Sequence, residues 1–327
     1  MRTRPLGNTG LSASVLGFGC SAIMGRTGRS ESLRALSTAW AAGITFYDTA
    51  RSYGYGESEA LLGEFLRTRR DRAIISTKFG ILARRQPLWK QAAKPLVRAL
   101  LGAMPSARSA VRKHVSGEFM QDQFTVAVLE QSLNESLRKL KTDYVDLLFL
   151  HDAPENALQQ EELFFALEKL VTAGKVRVAG ISAEPGVIIA ALRQKPRPLM
   201  AAQFPCSLFD LSARWAGEAI VSCGWAGVAN HPFGGVGGAE KCRPLLTEFA
   251  ATAPTELREK LSNLSGPALS DVILNLVLGT PGIHVVTPAM MNPKHIRANV
   301  DAVLRSRLTA AELDLIREAF SPRLSPA

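Results

Sequence analysis

The sequence is poor in cysteine and contains no paired-cysteine motif. Its four cysteines, Cys20, Cys206, Cys223 and Cys242, are scattered along 327 residues with no CxxC spacing. This usage argues against a small secreted fold held together by disulfides. It is typical of free thiols in a reducing compartment.

Long apolar runs are also missing. The N-terminal segment MRTRPLGNTGLSASVLGFG has no uninterrupted apolar stretch of signal-peptide length. The most apolar later segment, from Val272 to Leu278, is interrupted by Asn275 and is shorter than the ~20 residues that a membrane helix needs. We therefore expect a soluble cytoplasmic protein with no membrane partner.

The residues that are present form a repeated pattern. Short runs rich in Val, Ile and Phe alternate with longer segments of helical period, which indicates βα units around a parallel sheet. The eight strand candidates are Val15–Cys20, Thr45–Thr49, Ala73–Phe79, Tyr144–His151, Val176–Ser182, Met200–Pro205, Gly227–Pro232 and Ile283–Pro288. This count favours the α/β class and a closed (β/α)₈ TIM barrel, formed as a single domain over residues 1–327. An open dinucleotide-binding sheet is the alternative, but GFGCSAIMG lacks the full GxGxxG pattern.

Three segments add to this barrel. Arg4 to Ser14, with a turn at Asn8-Thr9-Gly10, are expected to form a β-hairpin that closes the barrel floor. Residues 81–123 form a long insertion after strand three, in which apolar residues alternate with cations, and they are expected to be amphipathic helices over the barrel mouth. Thr309, with Glu312 three positions later, predicts the cap of a last helix.

The charge balance is positive, with 39 Lys and Arg against 29 Asp and Glu. Much of the excess lies between Arg84 and Lys113, and no acidic residue occurs there before Glu118. We interpret this stretch as the solvated face of a lid on the substrate side, with a membrane-surface or acidic-partner role as the alternative. Because no zinc finger, RNP-like motif or basic zipper accompanies it, nucleic acid is not an expected partner.

Ionisable side chains end three neighbouring strands of the predicted barrel. Asp48 ends strand two and Tyr53 follows it, Lys78 ends strand three, and His151 ends strand four. In a (β/α)₈ barrel the functional side chains come from these C-terminal ends. Singly, each residue has an ordinary explanation, such as a turn former or a rim histidine. Together they are expected to converge, because a lysine and a histidine are costly to desolvate without partners.

This combination suits carbonyl reduction. Hydride transfer to a carbonyl needs a proton donor at the developing alkoxide, and Tyr53 would serve as that general acid. Lys78 would lower the pKa of Tyr53, Asp48 would hold Lys78 charged, and His151 would donate a hydrogen bond to the substrate oxygen.

The same residues lie in segments that resemble the aldo-keto reductase family: TFYDTARSYGYGESEALLGEFL, IISTKFG, DYVDLLFLHD, VAGIS and AAQFP. The resemblance runs from RPLGNTGLSASVLGFG to HIRANVDAV. It implies a (β/α)₈ barrel, a nicotinamide cofactor bound across the barrel mouth, and a catalytic tetrad of Asp48, Tyr53, Lys78 and His151. The implied substrate is an aldehyde or ketone, sugars included, interconverted with its alcohol.

The resemblance also implies where the cofactor binds. Asp48 borders the nicotinamide, Gly19 and Cys20 match a first-strand turn that approaches it through the backbone, and Ser182 and Gln203 match residues that hold its carboxamide. The usual Asn after Ser182 is here an alanine, at position 183. The orientation of the ring is therefore expected to rest more on Gln203.

The loops after the last two strands depart from the family pattern. The family's Tyr-Ser-Pro-Leu appears as Asn230-His231-Pro232-Phe233, so an amide replaces the ring that stacks on nicotinamide. Gly234 and the glycines after it would let the backbone approach the pyrophosphate. Pro288-Ala289-Met290 replaces a segment that often grips the 2′-phosphate of NADP, while His295 and Asn299 remain on the next helix. The family norm and the basic rim favour NADP(H) over NAD(H), and Ala289 weakens that preference.

Two other functions are compatible with parts of the sequence. Some barrels of this family are regulatory subunits that bind nicotinamide nucleotide with little or no turnover, and altered strand-seven and strand-eight loops are what such a relative would show. A metal-dependent hydrolase built on His151-Asp152 is disfavoured, because the other histidines form no HxH or HExxH arrangement. No metal is expected.

Overall fold

The computed structural model describes residues 1–25, 27–83, 119–209, 213–235 and 237–320. In these ranges twelve strands are present: β1 (Thr3–Pro5), β2 (Ser12–Ser14), β3 (Phe18–Gly19), β4 (Phe46–Asp48), β5 (Ile74–Phe79), β6 (Leu82–Ala83), β7 (Phe119–Met120), β8 (Val145–His151), β9 (Val176–Ser182), β10 (Leu199–Pro205), β11 (Ala226–Asn230) and β12 (Val285–Thr287). None of the helices in the same ranges has the length and apolarity that a membrane crossing requires.

Eight of these strands form a parallel barrel in the order β3, β4, β5, β8, β9, β10, β11, β12. The two ends of the sheet meet at a parallel bridge between Leu16 and Val286. There Gly17 N donates to Val286 O at 2.8 Å, and Val286 N donates to Val15 O at 2.9 Å. Pairing of the first and last strands removes the free sheet edges. The predicted (β/α)₈ class is confirmed.

The predicted N-terminal hairpin is also present. Strands β1 and β2 pair antiparallel from Thr3–Ser14 to Pro5–Ser12. Leu6, Leu11 and Ala13 of the hairpin belong to the same buried cluster as residues that line the barrel. The barrel-lining members of that cluster are Phe46, Ile74, Leu147, Phe149, Val178, Ala201, Ala226, Val228 and Val285. The hairpin therefore closes the lower end of the barrel with apolar side chains.

The helices cover the outside of the barrel and bury their apolar faces against it. They are α1 (Arg29–Ala41), α2 (Ser58–Leu66), α3 (Val126–Leu140), α4 (Glu161–Thr172), α5 (Pro185–Gln194), α6 (Ala213–Cys223), α7 (Gly238–Thr252), α8 (Thr255–Leu261), α9 (Gly266–Leu278), α10 (Pro293–Leu304) and α11 (Ala310–Phe320). The predicted cap of α11 is formed, because Thr309 N donates to Glu312 Oε2 at 2.8 Å and Glu312 N donates to Thr309 Oγ1 at 3.3 Å. This reciprocal pairing satisfies amides that the first turn leaves free.

Two segments differ from the sequence-based expectations. No helix is evident from the sequence over residues 241–266, but most of them form α7 and α8, whose apolar residues pack in a second cluster with α9 and α11. Pro244 lies inside α7. Because proline disfavours a helix interior, helix propensity does not predict this helix. The strand predicted to end at Pro232 ends at Asn230.

The insertion after β5 begins and ends in the antiparallel pair β6 and β7. Residues 84–118, which carry the predicted amphipathic helices, lie outside the described residues.

A buried carboxylate ties three elements together near the lower end of the barrel. Asp146, on β8, is fully buried and accepts a hydrogen bond from Ile75 N at 2.9 Å. Its oxygens also pair with Arg70 at 2.8 Å and Arg177 at 2.9 Å. Two guanidinium groups and an amide offset the cost of removing this charge from water.

We expect Asp146→Ala to lower the free energy of unfolding by about 3 kcal/mol, because the arginines and the Ile75 amide lose their acceptor. Denaturant unfolding followed by circular dichroism measures this change. The control Asp143→Ala, at an exposed position three residues earlier, should change it by less than about 0.5 kcal/mol. Equal effects of the two substitutions would contradict the structural role of Asp146.

Candidate active site

The alternation of side chains along each strand brings polar groups to the upper end of the barrel. Residues two apart share a face, so the apolar Phe46 below is followed by Asp48 above. In the same way, Leu147 and Phe149 are followed by His151. The remaining inward faces end in Lys78 on β5, Ser182 on β9, Gln203 on β10 and Asn230 on β11. The apolar residues fill the lower part of the barrel interior, and the polar residues lie at its upper end.

An ion pair lies at the centre of this mouth. Lys78 is 1% exposed and Asp48 is 4% exposed. Lys78 Nζ donates to both Asp48 carboxylate oxygens at 2.8 Å, and also to Thr49 O at 2.9 Å. Burial by itself lowers the pKa of Lys78, but the Asp48 charge and Tyr53 raise it more, so the net shift is upward. The ammonium group stays charged.

Two neutral side chains complete the surroundings of Asp48. Ser76 Oγ donates to Asp48 Oδ1 at 2.7 Å, and Gln203 Nε2 donates to the same oxygen at 2.9 Å. Ser182 Oγ in turn donates to Gln203 Oε1 at 3.0 Å. The sequence analysis missed Ser76, although its spacing could have indicated it, because Ser76 lies two residues before Lys78 and therefore on the same inward face of β5. In the structure it pairs with Asp48 across β4 and β5.

Tyr53 reaches the ion pair from the loop after β4. Lys78 Nζ lies 3.4 Å from the phenolic oxygen and 4.8 Å from the ring centroid. The ammonium donates to this oxygen, so the phenol keeps its own proton to donate. Burial raises the pKa of Tyr53, and the Lys78 charge offsets only part of that rise. Lys78 therefore acts on the pKa of Tyr53 in the predicted direction, but burial outweighs it and the net shift is upward. The phenol remains protonated, as a proton donor must.

His151 lies opposite Tyr53, with ring centroids 5.9 Å apart and planes at 82°. Burial lowers the pKa of His151 well below its usual value, and the nearby Lys78 charge lowers it further. The imidazole is therefore neutral near pH 7. Its Nδ1 is buried and has no hydrogen-bond partner among the described residues. A neutral imidazole at this position can donate one hydrogen bond to a ligand.

The residues predicted to contact the cofactor are distributed around the same rim. Gly19 N donates to Pro288 O at 3.0 Å, and a Cβ on Gly19 would lie 3.0 Å from Thr287 O. A side chain at this position would crowd the end of β12, so glycine favours the close approach of the two strands. Cys20 is fully buried beside Asp48, and burial raises the pKa of its thiol. It would meet a ligand through its backbone rather than its side chain.

The loop after β11 presents an unsatisfied amide. Asn230 Oδ1 is buried without a hydrogen-bond partner among the described residues. Pro232 is buried and Gly234 is exposed. Gly234 has φ +71°, and a Cβ there would lie 2.5 Å from the Phe209 ring. The loop therefore depends on glycine to accommodate both this backbone conformation and the aromatic side chain.

The residues after β12 do not all face one surface. Ala289 and His295 are exposed, whereas Pro288, Met290 and Asn299 are buried, and Met290 packs in the main core. The Asn292 side chain caps α10 by accepting from Lys294 N at 2.9 Å. Side chains are thus available to a ligand at positions 289 and 295. At Met290 the backbone alone is available.

A second buried carboxylate behind the site was not predicted. Glu59, on α2, is fully buried and accepts from Thr77 Oγ1 at 2.7 Å, on the outer face of β5. Burial raises the pKa of Glu59. The described ranges contain no group of three His, Cys, Asp or Glu side chains that could hold a metal ion.

These features define the class of the protein: a (β/α)₈ barrel with a polar cluster at the C-terminal ends of its strands, where barrels of this kind carry their functional residues. The model of the Aldo/keto reductase family matches residues 15–320, and the chain belongs to that family of oxidoreductases. It is similar to the aldo-keto reductase AKR11C1 from Bacillus halodurans in its holo form, with a TM-score of 0.72 and 26% identity over 97% of this chain and 96% of that one.

Two further relatives match different shares of the chain. The chain is 36% identical to D-threo-aldose 1-dehydrogenase of a Pseudomonas species, over 53% of this chain and 50% of that protein. The match thus spans about half the length of that relative. The chain is also 26% identical to norsolorinic acid reductase B of Dothistroma septosporum, over 95% of this chain and 77% of that protein.

The neutral state of His151 predicts a pH dependence of stability. The unfolded chain binds a proton at this residue near pH 6.5, and the folded protein binds it only at lower pH, so stability falls as the pH drops through about 6.5. Between about pH 7.5 and about pH 5.5 this contributes a loss of about 1 kcal/mol. His151→Gln should reduce the measured loss by that amount in denaturant titrations, whereas the exposed-site control His295→Gln should not. Identical pH profiles for wild type and His151→Gln would refute the assignment.

Proposed function

We propose that this protein is an NAD(P)(H)-dependent oxidoreductase that interconverts an aldehyde or ketone with its alcohol, and that Tyr53 is its general acid. One observation carries the proposal: Lys78 Nζ contacts both the Asp48 carboxylate and the Tyr53 phenolic oxygen. This arrangement places a protonated phenol beside a fixed positive charge.

The four residues divide the proton chemistry. Tyr53 donates its proton to the substrate oxygen, and the Lys78 ammonium stabilises the phenolate that remains. Asp48 holds Lys78 charged and fixes its position. His151, which is neutral, donates a hydrogen bond that orients the substrate oxygen. The nicotinamide supplies the hydride when it is bound.

The residues at the mouth fit a nicotinamide nucleotide. Asn230 Oδ1 is a buried acceptor without a partner among the described residues, so the carboxamide N–H group of the ligand would satisfy it. Gln203 is engaged by Asp48 and Ser182 and keeps one amide hydrogen and one lone pair for the same group. Asn230 thus offers a polar contact where the family has a stacking ring. The glycine loop beginning at Gly234 is open to the pyrophosphate.

Sugars belong in the substrate class to be tested first. Two relatives carry sugar names, D-threo-aldose 1-dehydrogenase of Pseudomonas and, at 30% identity over 56% of this chain, L-galactose dehydrogenase of Arabidopsis thaliana. Polar donors at the mouth suit a hydroxylated substrate, since buried polar groups discriminate against analogues that lack a partner. The direction of the reaction would follow from the cofactor redox state.

Titration with NADPH and NADH, followed by protein fluorescence, tests the proposal first. Saturable binding, followed by cofactor oxidation with a panel of aldehydes or cofactor reduction with aldoses, would support an oxidoreductase. Binding without turnover of any carbonyl or aldose would favour a regulatory nucleotide-binding protein instead. No binding would refute both.

Tyr53→Phe should lower carbonyl reduction by at least about 100-fold, the scale of general acid catalysis, and leave cofactor affinity nearly unchanged. Steady-state rates and fluorescence titrations measure the two effects. Tyr144→Phe is a matched control, because it removes a hydroxyl from a tyrosine at the start of β8 that stacks with Arg70 at 3.9 Å. Full activity of Tyr53→Phe would eliminate its role as the acid.

A substitution at Ala289 tests where the 2′-phosphate of NADP(H) binds. This residue is exposed beside the N-terminus of α10, where an anion is favoured. Ala289→Arg should tighten NADPH binding about tenfold relative to NADH, the scale of one charge-assisted phosphate contact. Leu304→Arg adds the same charge at the exposed far end of α10. If both variants change the NADPH to NADH ratio equally, the 2′-phosphate does not bind beside position 289.

A further inference from the structure

The segment that carries Tyr53 contains only one irregular 3₁₀ turn, Tyr53–Gly56. It leaves β4 after Asp48 and reaches α2 only at Ser58. Three consecutive residues have positive φ: Gly54 at +59°, Tyr55 at +57° and Gly56 at +86°. The local backbone hydrogen bonds of the segment include Tyr53 N to Ala50 O at 3.1 Å and Glu57 N to Gly54 O at 3.2 Å. Such a loop needs contacts from outside itself to hold one conformation.

Helix α3 supplies these contacts on both sides of Tyr53. Arg51, two residues before it, pairs with Glu135 Oε2 at 2.6 Å. Gly56 O, three residues after it, accepts from Lys139 Nζ at 2.9 Å. Glu135 and Lys139 are one helical turn apart and pair with each other at 3.1 Å. One face of α3 thus contacts the loop at two positions, Arg51 and Gly56.

The three charged side chains of this network, Arg51, Glu135 and Lys139, are partly buried. The side chain of Arg51 is 13% exposed and that of Lys139 is 17% exposed, with Glu135 at 31%. Burial opposes ionisation of Glu135, but Lys139 and Arg51 lower its pKa on balance. Partly buried charges are screened less by salt than surface pairs. These contacts therefore constrain the loop more than an exposed ion pair does.

Lys78 is held by a strand residue and by the first residue of this loop, and neither of these contacts depends on where the loop places Tyr53. Its ammonium is held by Asp48 on β4 and by Thr49 O, so the distance to Tyr53 depends on where the loop places the phenol. That distance is 3.4 Å, near the long limit of a hydrogen bond. A small displacement of the loop would separate the phenol from the cation.

We propose that Glu135 and Lys139 are positioning residues for Tyr53: they clamp the loop at Arg51 and Gly56 and so keep the phenol beside Lys78. The proposal rests on the proposed role of Tyr53 as the general acid. Neither α3 residue touches the reacting atoms. Both act through the loop.

The test uses Glu135→Gln and Lys139→Gln in the full chain. Each should lower kcat for one aldehyde about 10- to 100-fold with KM nearly unchanged, because a displacement of about 1 Å costs that much in rate. Arg51→Gln should have the same effect. The double variant Arg51→Gln with Glu135→Gln should have a kcat no lower than that of the less active single variant. Independent, multiplying losses would show that the two residues do not act through their ion pair.

A spectroscopic readout separates this inference from the proposed function. With the tyrosine rings isotopically labelled, the Tyr53 resonance is assigned by its loss in Tyr53→Phe. It should be a single sharp line in wild type and become broadened or doubled in Glu135→Gln and Lys139→Gln, while the Tyr144 line stays unchanged. If wild type turns over no carbonyl, the reductase proposal fails and this spectrum still decides the positioning.

Lys260→Gln is the matched control for a general loss of stability. It breaks an ion pair with Glu312 at 2.8 Å, in the second apolar cluster away from the loop. It should lower the melting temperature and leave kcat and the Tyr53 line unchanged. The inference is overturned if Lys260→Gln lowers kcat as much as the α3 variants do, or if those variants leave kcat and the Tyr53 line unaltered.

Discussion

A lysine ammonium removed from water has to recover its hydration energy from protein groups, and Lys78 recovers it from Asp48 and Thr49 O. The cost of burying such a pair is repaid only when the remaining hydrogen-bonding capacity is also satisfied. Ser76 and Gln203 do this for Asp48. The ends of three strands, β4, β5 and the non-adjacent β10, are therefore coupled to one charge, and the polar mouth forms as a unit.

The residues that stabilise the barrel and the residues of the candidate active site lie at opposite ends of the barrel axis. At the lower end, the hairpin residues Leu6 and Leu11 close the interior with apolar contacts, and Asp146 has all its partners within the protein. At the upper end, His151 Nδ1 and Asn230 Oδ1 are buried and lack a partner among the described residues. Polar atoms that the protein leaves unpaired are costly, and a ligand with matching donors or acceptors removes that cost.

Tyr53, the proposed general acid, differs from Asp48, Lys78 and His151 in how it is held. Asp48, Lys78 and His151 are strand residues, so the backbone hydrogen bonds of the barrel position them. Tyr53 lies on a loop with a left-handed backbone after it, and its position depends on side chains of α3. Residues such as Glu135, which never approach the substrate, are thereby connected to the geometry of proton transfer.

The sequence alone determined the features that follow from local periodicity. The eight apolar runs specified the barrel strands, and alternation placed Asp48, Lys78 and His151 on inward faces at the mouth. Thr309 and Glu312 specified the cap of the last helix because a capping box is formed within four residues. The inward position of Ser76 could also have been predicted, because Ser76 lies two residues before Lys78 on the same strand.

Only the tertiary structure decided the features that depend on contacts distant in sequence. Helix α7 forms around Pro244 because its apolar face packs against α9 and α11. The pKa of Tyr53 rises rather than falls because burial outweighs the nearby cation. The clamp between Arg51 and Glu135 joins residues 84 positions apart. Periodicity shows which way a side chain faces within its own element, whereas the partner it meets is set by how the elements pack.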